Sequence, residues 1–176
     1  MFIRPVTESD FPQLVTLYQN CFAEPPWFEA FDTAELTLEF KEILSWPDAI
    51  FLACEIDGRI VGGATGFSVA RKQDVLACVS NAYSNGFYFA DIFVNASLRN
   101  GGIGKRLVEA RLRHARELGF THGVVRTSVQ QPIVQHLYID EFGYKIVATQ
   151  ETLSTKVVNG VTQVAPDTRV IMVGKL

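Results

Sequence analysis

The chain has 176 residues, 48% of them hydrophobic and 20% charged, and a net charge of −3. That is room for one domain, residues 1–176, of ordinary globular composition, which excludes disordered, collagen-like and low-complexity classes. The mild acidity argues against nucleic acid as a partner.

The opening Met1-Phe2-Ile3-Arg4-Pro5 has no basic stretch leading into an apolar run, and no apolar run approaches the roughly 20 residues that span a bilayer. Neither a signal peptide nor a membrane partner is expected. Cys21, Cys54 and Cys78 are odd in number and widely spaced, with no Cys-x-x-Cys pair. They predict no disulfide framework and no metal site, and they fit a reducing cytoplasm.

Phe2 to Val6 predicts a short strand. Thr7 to Asp10 supply N-cap residues for a helix whose apolar face is Phe11, Leu14, Val15, Leu17, Tyr18 and Phe22. Ala23 to Phe31, with Pro25-Pro26-Trp27, is a loop. Asp32 and Glu35 have capping-box spacing before a second helix carrying Leu36, Leu38, Phe40, Ile43 and Leu44. Ile50–Ile56 and Arg59–Phe67 flank Asp57-Gly58, a hairpin with a primed turn. Arg71 to Gly86 is polar and carries no assignable pattern. Phe87 to Val94 is a nearly continuous apolar run, predicted as one strand buried on both faces, with Asp91 on the same face as Phe89 and Phe93. A helix to about Leu118 follows, closed by Gly119. Val124–Val129 is a further strand, and Pro132–Phe142 a helix with Pro at its first position and Gly143 after its end. Tyr144–Leu153 and Arg169–Gly174 are the last strands, with a turn at Asn159-Gly160. The sum is an α/β domain: a mixed sheet of about seven strands flanked by about four helices.

Charge is uneven. Arg99 to Arg116 holds six cations (Arg99, Lys105, Arg106, Arg111, Arg113 and Arg116) against the single anion Glu109. Alone, such a run is a solvated helix face. Here it is preceded by Arg99-Asn100-Gly101-Gly102-Ile103-Gly104, a glycine-rich turn opening a helix. Such a turn presents free backbone N–H groups and the positive end of the helix dipole, and glycine lets an anion's oxygens approach the backbone. It predicts a phosphate or pyrophosphate cradle with matching charge from Arg99, Lys105 and Arg106. A Walker loop is excluded because residues 99 and 106 are both arginine. A dinucleotide fingerprint fails at Leu107.

The remaining pattern, Arg-x-x-Gly-x-Gly on Arg99, Gly102 and Gly104, resembles motif A of the GNAT superfamily of acetyl-CoA-dependent N-acetyltransferases. An apolar strand ending Asp91-Ile92-Phe93-Val94 precedes it and a basic amphipathic helix follows. The resemblance runs from about Ile3 to Val173 and implies a GNAT-like fold. By resemblance, the amides of Asn100, Gly101, Gly102, Ile103, Gly104 and Lys105 would hold the coenzyme pyrophosphate. The pantetheine arm would run beside Ile92, Phe93 and Val94 like an added strand, and an amide there would polarise the thioester carbonyl. The resemblance implies direct attack by the amine in a ternary complex, with no covalent intermediate and no metal.

Asp91 is the expected base; an acidic residue in an apolar strand is costly unless partnered. The alternative is that Asp91 only binds neighbouring backbone or an arginine. The family commonly carries the longer glutamate near this place, so a bridging water would complete the reach. Tyr138 is the expected acid, matching a family tyrosine that faces the coenzyme sulfur within a pattern like Leu-Tyr-x-x-x-Gly-Phe. Here the spacing from Leu137-Tyr138 to Gly143 is one residue longer, and anchoring on Gly143-Tyr144 puts Ile139 in the slot instead. The family's asparagine at the start of this helix is missing, and Gln131 could replace its contact.

Glu24, Trp27, Phe28 and Glu29, in the loop between the first two helices, are the expected acceptor-binding residues. They suit a cationic small-molecule amine through ion pairing and cation–π contact. A homodimer is a family-level expectation. The alternative function is a non-catalytic acetyl-CoA sensor of the same fold, suggested by the displaced Tyr138 register.

Overall fold

The computed structural model describes residues 1–176 as an eight-stranded mixed sheet between two helical layers. Strand β1 (Phe2–Pro5) is followed by α1 (Phe11–Phe22) and α2 (Thr33–Ser45), then β2 (Ile50–Ile56), β3 (Arg59–Ser68) and the short α3 (Gln73–Leu76). Next come β4 (Phe87–Phe89), β5 (Ile92–Val94), α4 (Ile103–Glu117), β6 (His122–Ser128) and α5 (Pro132–His136). The last continues through a π-helical turn, Leu137–Glu141, into β7 (Lys145–Val158) and β8 (Val161–Lys175). The order is β1-β2-β3-β4-β6-β8-β7, with β5 also on β3; only β4–β6 is parallel.

The local signals account for most of this. Asp32 caps α2, its Oδ1 accepting from Ala34 and Glu35 N–H. Asp57 and Gly58, at φ 49° and 76°, make the primed turn of the β2–β3 hairpin. Asn159-Gly160, at φ 52° and 75°, does the same for β7–β8. Those two strands run to the turn itself, past the expected ends at Leu153 and Arg169, as one long hairpin. Leu38 of α2 departs from its expected inward position and is 66% exposed.

One expectation is corrected with consequences for the site. Phe87–Val94 is not one strand. Ala90 and Asp91 leave the ladder, so β4 pairs with β3 at Phe67 and Ser68 and with β6, while β5 pairs only with β3, at Gly62 to Ala64. Phe89 then packs in the layer of α4, and Phe93 in the opposite layer of α1 and α2. Asp91 does not share one face with both. The strand count rises to eight for the same reason, and α3, inside the unassigned 71–86 segment, makes five helices.

Candidate active site

The break between β4 and β5 splays the sheet, and a cavity of about 730 Å³ occupies the opening. Its lining comes from both layers: Val108 and Tyr138 from the α4 side, Tyr18 and Tyr88 from the α1–α2 side. The cavity therefore passes through the sheet at the splay.

On the α4 side the glycine turn is built as an anion cradle. Asn100 and Gly102 take φ of 63° and 80°, and Gly102 is the residue ahead of the first helical turn. The first intrahelical bond is Arg106 N–H to Gly102 O. None of the six N–H groups from Asn100 to Lys105 donates to any group in the chain. A Cβ on Gly104 would meet nothing within 4 Å, so the space above it is open. Asn100, Ile103 and Gly104 line the cavity directly. Two of the cations are tied to carboxylates, and Arg99 also lines the cavity. Arg99 Nη1 is paired with Glu24 Oε2 at 2.6 Å and its Nε donates to Val94 O at 3.1 Å. Lys105 Nζ meets Glu141 Oε2 at 2.6 Å.

The β5 backbone supplies an open edge. Thr65 N–H donates to Asp91 O and Asn95 N–H to Val61 O, so the odd-numbered residues face β3. Alternation turns the amides of Ile92 and Val94 toward the splay. Val94 O is already taken by Arg99 and by the Cys21 thiol, at 3.3 Å.

Behind the splay lies Arg111, only 1% exposed. Its Nη1 donates to Thr65 O at 2.8 Å and Asp91 O at 3.0 Å. Thr65 O is left open because Asp91 N–H turns to Thr65 Oγ1, and Asp91 O accepts a second bond beside that from Thr65 N–H. Its Nη2 donates to Tyr138 Oη at 2.9 Å, and its guanidinium lies 5.2 Å from the Phe89 ring centre. In the sequence Arg111 stands only as one of six cations in the basic run. It sits four residues after Leu107 and four before Ala115, both fully buried, and that helical spacing was the signal.

Tyr138 is 1% exposed and lines the cavity, whereas Ile139 does not. The π-helical turn Leu137–Glu141 absorbs the extra residue, so Tyr138 keeps its inward place while Gly143, at φ 70°, still ends the helix. Burial pushes the Tyr138 hydroxyl up, and the Arg111 charge opposes that rise. Asp91 also lines the cavity. Its carboxyl is raised above the ordinary range by burial, with Glu29 adding to the rise and Arg111 opposing it. Gln131, ahead of α5, lines the same cavity.

The loop 24–31 is only partly where expected. Trp27 and Glu29 line the cavity on the α1–α2 side, but one face of Trp27 is taken by Arg169, 4.8 Å from the ring centre. Glu24 turns away to Arg99 and does not line the cavity. Phe28, at φ 52°, does not line it either; its carbonyl accepts from Val157 N–H at 2.6 Å. The unexpected cavity residues here are Arg126 and Arg169, which stand inside apolar strands. No three His, Cys, Asp or Glu side chains converge as a metal site, and no helix is long and apolar enough to cross a membrane.

These features are those of an acyl-CoA-dependent transferase, and the comparisons agree. The model of the acetyltransferase (GNAT) family matches residues 11–144, and the chain belongs to that family. It is thus an acetyl-CoA-dependent acyltransferase. Among solved structures it is similar to a ribosomal-protein-alanine N-acetyltransferase from Brucella melitensis, with TM-score 0.76 and 18% identity over 100% of both chains. A phosphinothricin acetyltransferase from Sinorhizobium meliloti, solved with acetyl-CoA, gives 0.72 and 16% over 99% of this chain and 88% of that one. A putative acetyltransferase from Salmonella typhimurium, solved with its cofactor acetyl-CoA, gives 0.70 and 16% over 100% and 94%. At these identities the likeness is one of fold. No curated protein matches the chain in sequence.

Proposed function

We propose that the protein transfers the acetyl group of acetyl-CoA directly to the primary amine of a small molecule in a ternary complex. One observation carries this: the single cavity through the splay brings together the free amides of the α4 turn, the open β5 edge, Asp91 and Tyr138. The cradle suits the coenzyme pyrophosphate. The Ile92 and Val94 amides face the side where a thioester carbonyl would lie, and Gln131 offers an amide contact to the arm.

In the reaction the amine nitrogen forms a bond to the thioester carbonyl carbon and the carbon–sulfur bond breaks. Asp91 takes the proton that the ammonium must lose, directly or through one water, and its raised proton affinity suits that task at neutral pH. Tyr138 gives its hydroxyl proton to the departing thiolate. Arg111 occupies one acceptor position of Tyr138 Oη, which leaves the hydroxyl hydrogen free to point into the cavity, and its charge steadies the phenolate. The second nitrogen proton, shed as the amide forms, restores the Tyr138 hydroxyl, and the proton taken by Asp91 passes to solvent, one per turnover.

A small acceptor is favoured by the closed α1–α2 side. Lys156 Nζ donates to Pro26 O at 2.7 Å and Val157 N–H to Phe28 O, tying the β7 edge across the loop that carries Trp27 and Glu29. The sensor reading rested on a displaced Tyr138, and the inward Tyr138 removes that ground.

The test is acceptor-dependent release of coenzyme A thiol from acetyl-CoA across amino acids, polyamines, aminoglycosides and peptide N-termini. Release with a small amine is expected. Tyr138→Phe should lower kcat by about 100-fold or more while the thermal shift given by acetyl-CoA is kept. Silence across the whole panel overturns the reading.

A further inference from the structure

Two arginines on the α1–α2 side of the cavity take no part in this chemistry. Arg126 pairs with Ile171 and Ser128 with Arg169, so the two arginines are diagonal neighbours on one face of β6–β8. Both line the cavity, with side chains 14% and 17% exposed. Each is anchored from within the protein on part of its guanidinium only. Arg126 gives Nη1 to Asp74 Oδ2 at 2.6 Å and to Gln150 Oε1 at 2.9 Å, and the Tyr88 hydroxyl stands against the same guanidinium, so at most three of its five N–H donors are engaged. Arg169 is held through Nε by Asp167 and by stacking on Trp27, while its Nη2 stands 3.9 Å from Glu29 Oε1, beyond hydrogen-bond reach. A guanidinium has five N–H donors in a fixed fork. Two anchored forks thus keep free donor edges in the wall of a cavity that also holds Asp91 and Glu29.

A wall of both signs does not suit an acceptor that is only a cation. The carboxylates alone would hold an ammonium, and two neighbouring guanidinium groups would repel it. We propose that Arg126 and Arg169 form an anion subsite and that the acceptor is a free amino acid, its carboxylate on the arginines and its amine beside Asp91. This rests on the acetyltransferase reading above. Arg126 stands one position past the Phe89–Val125 pair of the parallel β4–β6 ladder, level with Ala90 and therefore next to Asp91 along the chain. Bidentate, charge-assisted bonding to a carboxylate is the contact this fork geometry favours.

The experiment uses matched acceptors: several amino acids, each with its carboxamide and its decarboxylated amine, in the thiol-release assay. The expected result is that kcat/KM for the best amino acid exceeds that of both analogues by about 10- to 100-fold, the usual worth of charged hydrogen bonds. Arg126→Met and Arg169→Met should erase most of that advantage. Arg126→Lys, which keeps the charge and loses the fork, should fall between. An acetyl-CoA thermal shift equal to wild type in each variant shows that the fold and the coenzyme site are intact. Carboxamides or plain amines that match the amino acids overturn the subsite and leave acetyl transfer standing. So does a carboxylate preference unchanged in all three variants. Turnover of peptide N-termini or polyamines alone, with no amino acid accepted, overturns the subsite in the same way. Loss of both the thermal shift and all turnover in the wild type overturns the acetyltransferase reading, and the subsite with it.

Discussion

Asp91 is the residue whose surroundings do most to decide the chemistry. Its backbone carbonyl is held by Thr65 N–H and Arg111 Nη1 and its N–H donates to Thr65 Oγ1 at 3.1 Å, so the backbone is fixed on both sides while the carboxyl faces the cavity. Burial and Glu29 raise its proton affinity. A base works only when deprotonated, so kcat/KM should climb as pH rises through an inflection above the ordinary carboxylate value of about 4. Asp91→Asn should lower kcat by about 100-fold or more and abolish that inflection, with the acetyl-CoA thermal shift retained. A pH–rate profile checks both. An unchanged acidic limb in the variant would move the base elsewhere.

At the scale of elements, the glycine turn makes a prediction that separates binding from folding. Gly104 has open space where a Cβ would stand, with no atom outside its own helix turn within 4 Å. Gly104→Val should leave the melting temperature nearly unchanged and yet fill the cradle. For wild type, acetyl-CoA at about 100 times its Kd adds about 2.7 kcal/mol, a rise of several degrees for a chain this size. The variant should lose that rise.

A second element-level prediction concerns the entrance to α1. Asp10, 6% exposed, accepts from Arg4 at 2.8 Å through both oxygens and from Thr7 N–H, tying β1 to the helix. The Arg4 bonds, then those of Thr7, lower its carboxyl to about 2. A depressed carboxyl contributes stability above its unfolded value of about 4 and loses it as pH falls toward 2. Asp10→Asn should therefore cost about 1–3 kcal/mol at neutral pH. The gap from wild type should close over that acidic window in thermal melts.

Much of the fold was legible because it rests on local rules: the caps at Thr7 and Asp32, the primed turns at Asp57-Gly58 and Asn159-Gly160, and the glycine turn before α4. What was not legible depends on tertiary partners. The run Phe87–Val94 has no Gly or Pro to mark a break. The splay becomes tenable because Arg111, forty-six residues from Thr65, donates to the Thr65 carbonyl it opens. The same dependence hid Arg126 and Arg169 as cavity residues. Each arginine has valine on one side and threonine on the other, with nothing local to mark a site, and only the β6–β8 register brings the two side chains onto one face. In the candidate site, the glycine turn proposed to hold the coenzyme was legible as a motif, and the structure gives it free N–H groups beside the cavity. The loop 24–31 was not, because Glu24 and Trp27 turn to Arg99 and Arg169.

The molecule as a whole closes the α1–α2 side of its cavity, the side proposed for the acceptor, with its longest hairpin. β7 is the edge of the sheet, and near its tip Val157 pairs with Thr162 of β8 while giving its N–H away from β8, to Phe28 O at 2.6 Å. Proline is tolerated on an edge strand where the lost N–H serves no ladder bond. Val157→Pro should therefore leave the β7–β8 ladder in place and cut one of the two links from β7 to the 24–31 loop, the other being Lys156 Nζ to Pro26 O. Trp27 and Glu29 would lose order with the loop, and Arg169 would lose the ring that supports it. A hydrogen bond of about 1 kcal/mol corresponds to a rise in acceptor KM of about 5- to 10-fold. The glycine cradle is built on α4 and β5, so the KM for acetyl-CoA and its thermal shift should stay as in wild type. Steady-state kinetics with each substrate varied in turn tests this split. A parallel rise in both constants would mean that the hairpin supports the whole cavity rather than its acceptor side.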